Sequence, residues 1–124
     1  MFEIRVDNRT FTMFLEKTAH GKKIAVYEHT AKGCVLYNFI ADELKEFDCS
    51  ENEVITLLPK REKYFIDLLI EKGVLIFTGR TIEGRREQLP IYTVNFQEAE
   101  KMGLNIVSQE EVYTWENNKC DVKI

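Results

Sequence analysis

The chain has 124 residues, 44% of them hydrophobic and 31% charged, which is enough apolar material for one core and too little length for two. That balance excludes disorder throughout the chain, and no apolar run approaches the roughly 18 residues that a membrane-spanning helix needs. A net charge of −4 excludes a uniformly basic coat for nucleic acid.

Charge is nonetheless segregated. Residues 59–86 carry seven basic side chains (Lys60, Arg61, Lys63, Lys72, Arg80, Arg85, Arg86) against four acidic ones (Glu62, Asp67, Glu71, Glu83). The rest of the chain is correspondingly acidic.

The first seven residues, Met1-Phe2-Glu3-Ile4-Arg5-Val6-Asp7, alternate charged and apolar side chains. They lack the apolar stretch of a signal peptide and read as a strand. Period two continues through Phe11/Met13/Leu15, Ile24/Val26 and Cys34/Leu36, with turn chemistry at Asp7-Asn8, His20-Gly21 and Ala31-Lys32-Gly33. Short turns favour adjacent antiparallel strands, so residues 1–38 are expected to form a β-meander. Phe14 and Tyr27 fall on its second, otherwise mixed face, where they suggest partial cover by a helix or a partner.

From residue 37 the spacing changes. Tyr37, Ile40, Ala41, Leu44 and Phe47 follow the i, i+3, i+4, i+7 rule of an amphipathic helix ending near Asp48. Ser50-Glu51-Asn52-Glu53 has capping-box spacing and announces a short helix to about Leu58, although the β-branched Val54-Ile55-Thr56 run keeps a strand open there. Pro59 suits the start of a third helix over about 60–72, and Gly73 suits its left-handed stop. Two strands follow, around Val74-Leu75-Ile76-Phe77 and Ile91-Tyr92-Thr93-Val94, joined by a basic tip. Asn95 to Glu98 repeats the capping-box spacing for a helix ending at Gly103. A further helix is expected near 108–115, then a frayed tail.

Helix, short helix, helix and basic-tipped hairpin, over about 37–94, resemble a winged helix-turn-helix DNA-binding module. The most specific stretches are Phe65-x-x-Leu68-Leu69-x-x-Lys72-Gly73-Val74-Leu75 and Pro90-Ile91-Tyr92-Thr93-Val94-Asn95. The expected fold is therefore α+β in a single domain: meander 1–38, winged-helix-like segment 39–94, and C-terminal helical segment and tail 95–124. The resemblance implies a small DNA-binding regulator of double-stranded DNA, able to act as a homodimer. Lys60, Arg61 and Lys63 would enter the major groove, and Arg80, Arg85 and Arg86 would reach the adjacent backbone. Cations in the first turn of a helix oppose its macrodipole, costing about 0.3–1 kcal/mol each where exposed, and a phosphate partner would account for them.

Catalytic signatures are absent. No GxSxG, HExxH, P-loop or dinucleotide fingerprint occurs, so no enzyme and no cofactor is expected. Cys34, Cys49 and Cys120 lack paired spacing and read as free thiols of a cytoplasmic protein, and neither His20 nor His29 is spaced as a metal ligand. The competing class is a protein-binding module, such as a phage or mobile-element product that inhibits a host protein, for example a defence nuclease. Phe14, Tyr27 and Trp115 would form its contact surface.

Overall fold

The computed structural model describes residues 3–18, 21–43 and 52–108, and everything below concerns these. The expected meander is present as β1 (Glu3–Val6), β2 (Arg9–Thr18), β3 (Gly21–Thr30) and β4 (Gly33–Asp42). Asp7 opens the two-residue link between β1 and β2 with φ 58°, the positive value that such tight hairpin turns demand.

The winged-helix expectation fails immediately afterwards. Residues 37–42, expected in the first helix, belong to β4, and Glu53–Thr56, expected in the second, form strand β5. Antiparallel sheet dominates, in the order β1-β2-β3-β4-β5-β7-β6, with β6 at Leu75–Glu83 and β7 at Gln88–Val94. A short β8 (Asn105–Ser108) runs parallel to the second half of β2. Only two helices interrupt the described strands, α1 (Lys63–Glu71) and α2 (Phe96–Met102). The C-terminal helix expected near 108–115 lies outside the described residues, apart from Ser108, which ends β8.

The misleading helical spacing has a physical cause. Ala25 pairs with Phe39 while Ile24 pairs with Ala41, and Val26 pairs with Asn38 while Tyr27 pairs with Leu36. Ile40 and Tyr37 are thus the extra residues of two β-bulges. Each bulge resets the alternation, so Tyr37, Ile40 and Ala41 all join one core at intervals of three and one. That interval is what a helix face would show. In β5 the β-branched run prevails over the capping box because the strand is hydrogen-bonded on both sides, to β4 and to β7, with Val54, Ile55 and Thr56 all buried.

Phe11, Met13 and Leu15 of β2, with Ile24 and Val26 of β3, form the main core face. Phe65, Ile66 and Leu69 of α1 cover it, joined by Ala99 of α2 and by Leu104. Helix α1 begins at Lys63 rather than at Lys60. Its end matches expectation: Gly73 adopts φ 79°, its amide donates to Ile70, and the Val74 amide donates to Leu69. This is the paired closure that a C-terminal glycine permits. At α2, Asn95 accepts from the amides of Gln97 and Glu98, which is the cap that the sequence announces.

The opposite face corrects another expectation. Phe14 and Tyr27 are buried, 3% and 1% exposed, and meet edge to face with ring centroids 5.5 Å apart. Alternation places them on the second face, but that face is covered. His29 lies on it too, its Nε2 against the Thr12 hydroxyl and its Nδ1 3.6 Å from Cys34 Sγ. Cys34 is disulfide-bonded rather than a free thiol. Pairing in space is not encoded in spacing along the chain.

Leu69 is fully buried between α1 and the sheet. Leu69→Ala is expected to lower unfolding stability by about 2–5 kcal/mol, measured by denaturant titration, with Ile70→Ala on the exposed side of α1 changing it far less.

Candidate nucleic-acid interface

Strand register assembles the site. Val54 pairs with Tyr92 and Ile55 with Ile91 in antiparallel β5 and β7, so the chain leaving β5 passes the residues that begin β7. The Thr56 hydroxyl donates to the Pro90 carbonyl at 3.1 Å. The segment 57–61 and the β6–β7 tip at 84–87 therefore meet at one end of the sheet. Between them lies an open cleft of about 780 Å³. Lys60 and Arg61 form one lip, Arg85 and Arg86 the other, and Phe39, Leu57, Leu58 and Leu89 provide the apolar lining.

Both walls are built from unusual backbone. Leu58 has φ 49°, a left-handed value that a branched-chain residue rarely adopts, yet its side chain is 44% exposed. At the tip, the Gly84 amide donates to the Glu87 carbonyl at 3.0 Å. A Cβ on Gly84 would sit 2.7 Å from that oxygen and 3.0 Å from Leu89 Cγ, so only glycine fits. The arginine lip is therefore fixed directly to the apolar lining.

Four of the six expected DNA-contacting side chains converge on this cleft. Arg85 and Arg86 are exposed and make no ion pair among the described residues. Lys60 is 3.8 Å from Glu87 across the cleft, a loose pair with the lysine 85% exposed. The other two are placed differently. Lys63 pairs along α1 with Asp67, although it borders an adjoining hollow together with Lys60 and Arg86. Arg80 lies in a bulge of β6, where Gly79 has φ 87°, and pairs with Glu53 of β5. Lys60 and Arg61 precede α1 rather than occupying its first turn, so they meet little of its dipole.

Glu62 proves to be buried, at 1% exposure, instead of crowding the basic surface. One carboxylate oxygen accepts from the Tyr37 hydroxyl at 3.1 Å and lies 3.6 Å from Arg61 Nε. Its other oxygen has no hydrogen-bond partner among the described residues. On the far side of Tyr37, Arg9 lies over the Phe11 and Tyr37 rings, 5.0 and 5.6 Å from their centroids, and grips Glu28 with two 2.8 Å hydrogen bonds. That fork holds the Glu28 carboxylate below its ordinary pKa. Burial first, and the negative charge of Glu62 second, push the Tyr37 phenol above its own.

The expected protein contact is not assembled here. Phe14 and Tyr27 are interior, and Trp115 lies outside the described residues. Sequence reading also missed the apolar lining and the Tyr37–Glu62 bond. The Leu57-Leu58 pair directly before Pro59-Lys60-Arg61 is the local signal that pointed to the lining. No helix among the described residues is long and apolar enough to cross a membrane.

No protein-family profile, curated protein or solved structure matches the chain.

The raised pKa of Tyr37 fixes the sign of an alkaline effect. Its contribution to stability is fully present below the ordinary phenol value of about 10 and is lost as pH rises through the higher folded value. Thermal stability is expected to fall above about pH 10, and Tyr37→Phe to make that fall shallower in melts across the alkaline range. Tyr92, also raised by burial, would retain part of it.

Proposed function

We propose that this protein is a non-enzymatic nucleic-acid binder, holding phosphates between the two basic lips of the cleft. The observation that carries the proposal is the convergence of Lys60, Arg61, Arg85 and Arg86, from segments more than twenty residues apart, around one concavity of an acidic protein. Clustering like charges costs folding free energy through their mutual repulsion, and a polyanion relieves it. Low-dielectric walls such as Leu57 and Leu89 strengthen the field between the lips. Glu87, bordering the cleft, is the carboxylate that a phosphate would displace from Lys60.

The winged-helix route to DNA is not retained, because residues 37–42 and Glu53–Thr56, expected in its first two helices, are strand. Regulation of transcription or replication would then follow from occupancy of a strand or duplex by the cleft rather than from a recognition helix. The protein-inhibitor alternative loses its two named meander aromatics to the interior. The Cys34 disulfide is a cross-link that a reducing compartment such as the cytoplasm would open. The cleft lining contains no cysteine, so binding is expected to be the same with and without reductant.

The test is fluorescence anisotropy with a labelled random-sequence oligonucleotide across a salt series. Four phosphate contacts predict a slope of log affinity against log salt of about −3. Arg85→Glu with Arg86→Glu should lower affinity by about tenfold or more at low salt, with the thermal midpoint unchanged. Glu87→Gln should raise affinity, and Lys101→Glu on α2 should leave it unchanged. Salt-independent binding, or full affinity in the arginine double variant, contradicts the proposal.

A further inference from the structure

Resting on that reading of the cleft, we infer that its ligand is a single strand, with an unpaired base against the apolar lining and the flanking phosphates on opposite lips. A duplex satisfies only half of the site. Its phosphates can meet Lys60, Arg61, Arg85 and Arg86, but its base faces are stacked inside. The lining of Leu57, Leu58 and Leu89 would then lose water against a charged backbone and gain nothing. An unpaired base presents a flat apolar face that fits such a surface whatever its sequence.

Two features tie the lining to ligand binding rather than to the core. Leu58 keeps a left-handed backbone, strained for leucine, and leaves its side chain 44% exposed. The Leu58 carbonyl accepts from the Glu62 amide at 2.9 Å, which holds the backbone but does not call for an exposed leucine side chain there, and strain of this kind collects at binding sites. Gly84 lets the tip backbone close onto Leu89, with 2.7 Å from a hypothetical Cβ to the Glu87 carbonyl. Lip and lining are therefore in close contact on the β6–β7 side. A volume of about 780 Å³ accommodates a nucleotide unit, within the range of small-ligand sites. The charges lie on both sides of the apolar surface, as a strand crossing it requires.

The experiment compares three probes at one low salt concentration by anisotropy: oligothymidylate, oligouridylate of equal length, and a mixed-sequence duplex. The better single strand is expected to bind about tenfold more tightly than the duplex, and whether it is the deoxy or the ribo strand identifies its source. Leu58→Asn tests the lining, because asparagine tolerates positive φ and removes the apolar surface. It is expected to shrink the single-strand preference to less than about threefold, while Ile70→Asn on α1 leaves that preference intact. Equal affinity for duplex and single strands in the unaltered protein overturns the inference and leaves phosphate binding standing. No binding of any probe overturns both. The comparison in the unaltered protein does not depend on either variant folding.

Discussion

Four residues, Glu53 to Thr56, hold the rest of the molecule in place. As β5 they are hydrogen-bonded to β4 on one side and β7 on the other, so they join the meander to the β6–β7 hairpin. The pairing of Ile55 with Ile91 also decides what lies beyond the strand ends. In an antiparallel pair a register shift of one residue reverses every side chain, and it would take Val54 out of the main core. The register is therefore held by the core itself. Its consequence is that Lys60 and Arg61 face Arg85 and Arg86 across one cleft.

Electrostatics and packing divide the work in that cleft. The arginine lip carries exposed charge on a turn that glycine allows to close. The other lip is anchored beneath the surface, where Glu62 links Arg61 to the Tyr37 phenol. Tyr37 is itself a bulge residue of β4 and packs against both Phe11 and Phe65, so the anchor belongs to the main core. A carboxylate buried with one unpartnered oxygen destabilises the fold locally. Keeping Arg61 at the cleft is the compensating contact that the structure displays. Pairs such as Lys63–Asp67 and Lys101–Glu98, by contrast, lie on exposed helix surfaces where ion pairs contribute little.

What the sequence made legible was local. Alternation announced β1 to β3, Gly73 announced the end of α1, and Asn95 announced the start of α2, because each signal acts within a few residues. The segregation of basic residues into 59–86 was equally visible, and four of its cations do gather. What was not legible depends on partners distant in the chain. The bulges at Tyr37 and Ile40 exist only against β3, and they converted a strand into an apparent helix. Strand β5 is stabilised by β4 and β7, which local propensity cannot see. Exposure of Phe14 and Tyr27 was misjudged for the same reason: period two assigns a side chain to a face but does not say whether the face is covered. The apolar lining unites residues from β4, the 57–61 segment and β7, and no spacing rule links them.

In the proposed function, two basic segments separated in sequence act on one ligand as a single site. Titration of isotope-labelled protein with a short oligonucleotide, followed through its backbone amide resonances, tests this most directly. Amides of Leu57, Leu58, Lys60 and Arg61 and those of 84–87 are expected to shift together along one binding isotherm, while those of exposed Ile76 and Phe77 on β6 remain still. Shifts confined to one segment, following separate isotherms, or centred on the β6 edge would contradict it.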